Sequence, residues 1–600
     1  MKSHSKYLIL LLLGFLFQQS TEAQNLKTPW TEEVNPSSPL PEYPRPMLQR
    51  SEWKNLNGQW NYAIQPSEAV TPSEFDGVIT VPYPLESNLS GVTKHLRRSE
   101  ALWYERTFSI PSGWRGKKII LHFGAVDHEA WVYVNGKFVG SHIGGYSAFS
   151  LDITKSLVSG DNRLLVKVTD TTDERTQPVG KQRCEKQNPG SIWYTSVSGI
   201  WQTVWLEPVS DSYIKHLKIT PDLDNKRFII ETSVSGLQVG QMLQYTLFDG
   251  NKEISKSIVN SGIPGVLIVD KPTFWNPDTP KLYDIKVALV KENQIIDEVK
   301  SYAALRKIST SKDKEGVWRL MLNNKEQFHF GPLDQGYWPD GLYTAPTDAA
   351  LKFDIQKTKD WGFNMIRKHM KVEPERWYYY CDSIGLLVWQ DMPAMMNSNE
   401  PWRPDEWYSG DEGCHSQTVE DNFKHEWSDI INQLYSHPCI VVWTPFNEAW
   451  GQFKTDEIVD FTRSLDGTRL INSASGGNHR PTGDILDLHS YNRPPKLAIN
   501  DSQRPVVLGE YGGLGRHIQG HRWLETDATT YVNYSSAKEL TDSYLEQAEA
   551  MIHLKDRICA AVYTQTTDVE TEVNGLMTYD RCVMKMNEER IREINQRICK

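Results

Sequence analysis

Cysteine is scarce in this chain: seven in 600 residues, at Cys184, Cys381, Cys414, Cys439, Cys559, Cys582 and Cys599. The number is odd and no CxxC pair occurs, which excludes a zinc knuckle and a complete disulfide framework. Most of the thiols are expected to be free and buried, although an exported chain could form a bridge. Positive charge is in deficit too, since 65 Lys and Arg against 76 Asp and Glu leave a formal net charge of -11. With no Lys/Arg-rich run to track phosphates, nucleic acid is not an expected partner. After Phe17 no apolar run is long enough to span a bilayer, so no membrane insertion is expected downstream. HExxH, a complete EF-hand loop and a serine nucleophile elbow to accompany Asp382 and His369 are all missing. His142, His479, His489, His517 and His521 fall on different elements, so a zinc cluster would need a coincidence of folding. Gly144-Gly145 and Gly476-Gly477 read as turn glycines, not phosphate loops.

What remains is ordinary globular composition, 39% hydrophobic and 24% charged, over a length that predicts about three to five domains. The 21 Trp and 26 Tyr stand out. Flat amphipathic rings suit sugar faces, and β-sandwich cores also consume them. The N-terminus has Lys2 and Lys6 flanking an apolar stretch from Tyr7 to Phe17, then Thr21-Glu22-Ala23 before Gln24. That pattern predicts a secretory signal over 1–23, cleaved on export to the periplasm or the medium, with an uncleaved anchor as the alternative.

From Trp53 to Glu207 short alternating segments recur: Ile119 to Phe123, Ala130 to Val134, Leu164 to Val168 and Thr203 to Leu206, separated by turn signals such as Asn135-Gly136. They predict a jelly-roll β-sandwich over 24–208. A second all-β stretch, 209–308, has strands near Phe228 to Val234, Leu243 to Phe248 and Leu282 to Val290 and the length of an immunoglobulin-like sandwich, without the cysteine pair of antibody domains. From 309 to 600 strand and helix alternate. Eight candidate strands, Gln327–Gly331, Phe363–Arg367, Leu386–Gln390, Ile440–Pro445, Arg469–Ser473, Ile485–His489, Val506–Glu510 and Ala560–Thr564, are interleaved with helical patterns such as Val419 to Tyr435 and Ser543 to Lys555. Eight strand-helix units predict a (β/α)8 barrel, whose active site lies at the C-terminal ends of the strands.

Two of those strand ends carry acids. Strand four runs into Asn447-Glu448, and strand seven into Glu510-Tyr511. A pair of carboxylates facing each other across a barrel mouth is what glycoside cleavage requires, one attacking the anomeric carbon and the other protonating the departing oxygen. At a separation of ~5 to 5.5 Å the double displacement retains configuration.

Several stretches are similar to signatures of glycoside hydrolase family 2: Leu56-Asn57-Gly58-Gln59-Trp60, Trp103-Tyr104-Glu105-Arg106, Tyr133-Val134-Asn135-Gly136, Gly199-Ile200-Trp201, Trp275-Asn276-Pro277 and Cys381-Asp382-Ser383-Ile384-Gly385-Leu386. Gly362 to His369 resembles that family's Asn-x-x-Arg-x-x-His segment, with the His one position early. The resemblance, to a family of β-galactosidases, β-glucuronidases and β-mannosidases, covers essentially the whole chain after the signal. It implies the same order of sandwich, immunoglobulin-like domain and barrel. It also implies Glu448 as general acid/base, Glu510 as nucleophile, Asn447 donating to the sugar 2-hydroxyl and Arg367 near the nucleophile, with His369 beside it. Tyr491 in His489-Ser490-Tyr491 is expected to hydrogen-bond the nucleophile.

The departures bear on the sugar. Tyr563-Thr564-Gln565 stands where many relatives have a Trp, so Gln565 and Asp568 are expected to replace stacking with polar contacts. Asn574-Gly575-Leu576 lacks the Asn-x-Lys by which β-glucuronidases hold a carboxylate, which disfavours glucuronides. Asp334, Trp338 and Asp340 of the first barrel loop and Asp391 after strand three are further expected substrate contacts, hydroxyl acceptors and a stacking ring. The expectation is thus an exported, retaining exo-glycosidase that removes a terminal β-linked, galactose-like sugar from an oligosaccharide or glycan. α-L-Arabinopyranoside, which differs only by the C6 hydroxymethyl, β-glucuronide and β-mannoside are the alternative glycones. An inactive carbohydrate-binding protein on the same scaffold is the alternative from another class. No cofactor is required by such chemistry; a Mg²⁺ or Na⁺ ion, found near the site in some relatives, has no support in these residues, and the oligomeric state is left open.

Overall fold

The computed structural model describes residues 26–172, 176–183, 190–395, 401–413, 415–525 and 528–600. The signal segment, Cys184 and Cys414 lie outside them. Among the described residues Cys381, Cys439 and Cys559 are buried, Cys599 half-buried and Cys582 exposed, all as free thiols. No helix among them is long and apolar enough to cross a membrane.

The N-terminal sandwich packs a six-stranded sheet against a four-stranded one. Its pairing is antiparallel throughout, for example Leu164↔Arg106 and Leu164↔Val134. Alternation places Trp60, Leu102, Tyr104, Leu121, Phe123, Val132, Val166 and Leu206 in one core between the sheets, as a period of two requires. Asn135 and Gly136 both take positive φ, 51° and 75°, the conformation of the tight turn that matches strand twist in hairpins. The next domain pairs a three-stranded sheet with a four-stranded one around Phe228, Ile230, Tyr245, Leu247, Ile285 and Val287.

The barrel strands are β1 (His329–Asp334), β2 (Met365–Lys368), β3 (Leu387–Asp391), β4 (Ile440–Thr444), β5 (Leu470–Ile471), β6 (Leu486–Ser490), β7 (Val506–Gly512) and β8 (Ala560–Thr564). They form one parallel sheet in the order β5-β4-β3-β2-β1-β8-β7-β6. The ring is closed between β5 and β6 by a single parallel bridge, Asn472↔Ile485. The helices are α1 (Asp348–Asp360), α2 (Glu375–Ile384), α3 (Gln417–Leu434), α4 (Thr455–Leu465), α5 (Ala537–Leu554) and α6 (Glu588–Cys599). Side-chain caps from Thr347, Ser416, Ser536 and Asn587 start α1, α3, α5 and α6, each worth about 1 kcal/mol.

Eight strand-helix units were expected, and here the chain departs from the regular pattern. No helix follows β5 or β6 among the described residues. The segment after β5, Asn472 to Asn478, is built of Ser, Ala, Gly and Asn, and the one after β6 holds Arg493-Pro494-Pro495; neither sustains the apolar 3.6-residue period a helix needs to bury a face. The β5 segment is spent on the barrel mouth instead.

Candidate active site

Glu448 leaves β4 on a turn in which it and Ala449 adopt φ of 50° and 62°, a left-handed conformation sparsely used by residues with a side chain and concentrated at functional sites. The turn is pinned from the β5 segment, where Glu448 N–H donates to the Ser475 carbonyl at 2.8 Å, and closed internally by Trp450 N–H donating to the Asn447 carbonyl at 2.8 Å. Gly476 and Gly477 are the close-approach residues beneath it. A Cβ on Gly476 would lie 2.1 Å from the His489 ring, and one on Gly477 would lie 2.4 Å from the Ala449 nitrogen and 2.8 Å from Glu448 Cα. The turn glycines are thus the floor on which two site residues rest.

Glu510, on β7, is buried at 6% exposure and surrounded by donors. Tyr491 Oη donates to its Oε2 at 2.5 Å, Arg367 Nη1 stands 3.5 Å from Oε1, and His489 Nδ1 is 3.6 Å from Oε2. Burial works against its charge, but the positive charges of His489 and Arg367 outweigh it, helped by the Tyr491 hydroxyl, and hold the carboxyl at about 2; this is the ionised form a nucleophile needs. Oxygens of Glu448 and Glu510 and a ring nitrogen of His489 all lie within 4.8 Å of one another.

His489, from β6, is the member of this group that its sequence context did not reveal. Ser475 Oγ donates to Asp487 at 2.6 Å and so accepts from His489 Nε2 at 2.8 Å. The other ring nitrogen, Nδ1, faces Glu448 Oε1 at 2.8 Å. Burial pulls the imidazole down, but the charge of Glu510 and the hydrogen bond to Glu448 prevail and raise it above its ordinary value. His489 therefore holds its proton more firmly than a free imidazole, with Nδ1 directed at Glu448. Only its place two residues before Tyr491, at the same strand end, signalled it.

Arg367 is wholly buried. Its Nε and Nη2 grip Asp391 at 3.0 and 2.7 Å, and Nη2 donates to Asn447 Oδ1 at 2.8 Å. That last bond orients the Asn447 amide, whose buried Nδ2 has no protein partner among the described residues and so remains a donor to be satisfied. His369 Nδ1 lies 2.7 Å from Asp391 Oδ2; burial and the neighbouring Arg367 push the imidazole well below its ordinary value, so it is neutral. Asp391 thus positions Arg367 and His369 rather than presenting an acceptor to the opening.

The residues expected in the first loop and after strand eight each have protein partners. Asp334 is buried against Lys368 Nζ at 2.6 Å and Gly336 N–H at 3.0 Å. Asp340 is buried and tethers the N-terminal segment through Thr28 and Thr31 hydroxyls at 2.7 and 2.6 Å. Arg581 covers the face of Trp338 at 3.8 Å, so that ring is no stacking platform. Asp568 is paired with Lys585 Nζ at 2.6 Å, and Gln565 donates to Asn574 Oδ1 at 2.8 Å. These groups have exchanged water for internal partners, as buried charges and amides must. The rings that remain half-buried at the mouth are Trp450, beside His369, and Tyr491; the exposed Tyr531 stacks on Tyr491 at 3.9 Å.

The sandwich contributes one group to this rim, also missed in the sequence. Lys181, 6% exposed, stands 3.9 Å from Glu572 Oε2 and 5.9 Å above the Trp450 ring. With its amide oxygen turned inward, Gln335 accepts from Lys181 Nζ at 3.1 Å. Nearby, Tyr194 donates to Glu572 and Thr195 N–H to Glu570, fastening the sandwich to the loop after β8. Among the described residues two groups of side chains in the domain have metal-ligating composition: Glu448, His489 and Glu510 at the centre, and His521, Asp580 and Cys582 on the outer loops. The five histidines taken as scattered therefore include two that folding brings to acidic partners.

Comparison with known proteins agrees with the order of domains. The chain matches the sugar binding domain of glycosyl hydrolases family 2 over residues 55–207, that family's second domain over 212–306 and its TIM barrel domain over 320–593. It is 27% identical over 467 residues to a β-galactosidase of Thermoanaerobacter pseudethanolicus, covering 73% of this chain and 57% of that protein. To a β-glucuronidase of Paenibacillus borealis it is 26% identical over 450 residues, covering 71% of this chain and 72% of that protein. The chain spans between 40% and 62% of the length of three of the curated relatives it matches. In fold it resembles the β-D-glucuronidase of Dictyoglomus thermophilum, with a TM-score of 0.72 at 19% identity over 93% of this chain and 98% of that one. Three successive domains matched in the family's own order, from residue 55 to residue 593, establish that the chain belongs to glycosyl hydrolases family 2.

Proposed function

We propose that this protein is an exported exo-glycosidase that cleaves a terminal β-linked, galactose-like sugar by double displacement with retention of configuration. The observation that carries the reading is the mutual approach of Glu448, His489 and Glu510, one ligand atom of each lying within 4.8 Å of the others, closer to the ~5 to 5.5 Å spacing of retaining carboxylate pairs than to the ~6.5 to 9.5 Å that leaves room for a water in inverting ones. In the first step Glu510, already ionised, attacks the anomeric carbon while Glu448 gives its proton to the departing oxygen. In the second, Glu448 takes a proton from water, which displaces Glu510 from the sugar. His489 holds the proton line to Glu448, Arg367 and Tyr491 hold Glu510, and the free Asn447 Nδ2 donates to the 2-hydroxyl. Residues 1–23 supply the export signal.

Purified protein assayed on aryl β-galactoside, α-L-arabinopyranoside, β-glucuronide and β-mannoside tests the sugar; the galactoside is expected to give the highest kcat/KM. Proton NMR of the first product tests the stereochemistry: a β-anomer appearing first is expected, and an α-anomer appearing first refutes double displacement.

A second reading, an acidic glycone, is favoured by Lys181, a buried ammonium whose only acidic partner within 4 Å among the described residues is 3.9 Å away. Relatives named β-glucuronidase agree with it, and the missing Asn-x-Lys speaks against it. Under this reading Lys181→Met lowers kcat/KM on the β-glucuronide by about 30-fold or more, the scale of unpairing a buried charge, and leaves the β-galactoside nearly unchanged. Equal losses on both substrates eliminate a carboxylate-holding role.

The glycine floor gives a further expectation. Gly477→Ala must move the Glu448 turn, since its Cβ would overlap backbone. A shift approaching 1 Å at a catalytic group costs about 100-fold, so kcat is expected to fall by that order with the cooperative unfolding transition retained. Wild-type kcat in the variant would show that the turn is not held from below.

A further inference from the structure

His521 lies in the loop after β7, and Asp580 and Cys582 in the loop after β8. One ligand atom of each, an imidazole nitrogen, a carboxylate oxygen and a thiol sulfur, lies within 4.8 Å of the other two. His521 Nδ1 is 2.7 Å from Asp580 Oδ2. Asp580 is held rigidly by its other oxygen, which accepts from the Thr578 hydroxyl at 2.6 Å and from Cys582 N–H at 3.1 Å. Oδ2 is turned toward His521, and the Cys582 sulfur, which makes a long 3.6 Å contact to the Asp580 carbonyl, stands exposed beside it. We propose that His521, Asp580 and Cys582 form a binding site for a borderline divalent transition metal, Zn²⁺ by preference, that staples the two loops at the rim of the barrel mouth.

The donor set suits that ion. Nitrogen, oxygen and sulfur together select Zn²⁺ over the hard cations, which take oxygen alone. With bonds of ~2.0 to 2.3 Å, tetrahedral ligands sit ~3.3 to 3.7 Å apart, so the His–Asp pair opens by less than ~1 Å and the sulfur closes by about as much, within side-chain rotation. The fourth position faces solvent and takes water. Binding expels the thiol proton, and a neutral His521 offers Nδ1 to the ion by carrying its hydrogen on Nε2.

The loops the ion would join are already in register a short way off, where Thr529 N–H donates to the Thr571 carbonyl and Val573 N–H to the Thr529 carbonyl. The same β7 loop carries Tyr531, which stacks on the Tyr491 that binds Glu510. Trp523 packs edge-on to Tyr579 between the two loops at 5.8 Å. A metal here would act on the mouth through packing, without touching the reacting atoms.

Co²⁺ is the probe, because a cobalt-thiolate bond gives a near-ultraviolet charge-transfer band that carboxylate and imidazole ligands do not. Chelator-treated full-length protein titrated with Co²⁺ is expected to develop this band to one equivalent and lose it to added Zn²⁺. Cys582→Ser is expected to remove the band, and His521→Ala to weaken metal binding by ~10-fold or more, while Cys599→Ser keeps both. Absence of the band at one equivalent, its survival in Cys582→Ser, or binding that is lost with Glu448→Gln and not with His521→Ala would each overturn the proposal; the last would place the ion on the central carboxylates.

Discussion

Glu510→Gln is expected to lower kcat by at least ~10⁴-fold, on aryl glycosides with good leaving groups as much as on poor ones. Removing a nucleophile that acts as part of a unit costs on this scale, equivalent to about 5.4 kcal/mol at 1.36 kcal/mol per decade. The amide fills the same space beneath Arg367 and Tyr491 but offers no electron pair basic enough to displace a glycoside. Initial rates on a dinitrophenyl glycoside check it, together with mass spectrometry after exposure to a slow 2-fluoro glycoside, which should label Glu510 in the wild type. Labelling of another residue would move the nucleophile elsewhere. The pH profile carries the same assignment. Because Glu510 is held at about 2 by the cations beside it, it stays ionised as pH falls through the ordinary glutamate range. The acid limb of kcat/KM, which reports the free enzyme, should therefore lie well below pH 4.5. The same depression adds stability that is complete above the ordinary glutamate value and fades as pH falls toward 2.

Glu448→Ala is expected to divide the substrates. With an alkyl or sugar leaving group, which needs a proton, kcat/KM falls by ~10²- to 10⁴-fold, the usual worth of general acid catalysis. With a dinitrophenyl group it changes little, because that leaving group departs unprotonated. The glycosyl-enzyme then accumulates, since no base activates water, and azide, which needs none, should restore turnover and yield the β-glycosyl azide. Burst kinetics and product analysis read each step. A uniform loss on both leaving groups, unrelieved by azide, would remove Glu448 from the acid/base role. The short contact from His489 Nδ1 to Glu448 places the imidazole on the same proton path.

The fold was legible because its signals are local. Period-two alternation at Ala130 to Val134 and Leu164 to Val168 and the Asn135-Gly136 turn mark hairpins without any long-range information. The eight apolar runs after residue 309 mark strands in the same way. Helices after β5 and β6 were implied by regularity, not by pattern, and there the chain shows none. In the site, the acids at the ends of β4 and β7 could be named because a strand end is itself a local feature, and strand ends of a barrel converge. Asp334, Asp340, Trp338 and Asp568 satisfy that rule equally well, yet Lys368, Thr28, Arg581 and Lys585 have taken them up. Those partners lie 17 to 312 residues away, and no local pattern announces them.

Local pattern in the sequence therefore determined the order of sandwich, second β-domain and barrel and put Glu448 and Glu510 at strand ends, since both follow from rules that act over a few residues, while the resemblance to the family singled those two out among the strand-end acids. Tertiary structure alone decided which polar groups remain free to meet a ligand. It put His489 against Glu448, brought Lys181 across from the sandwich to Glu572, left the buried Asn447 Nδ2 without a partner among the described residues and buried the acids of the first loop. A buried polar group must find a partner, and which partner comes within reach depends on chain segments that only the completed fold brings together.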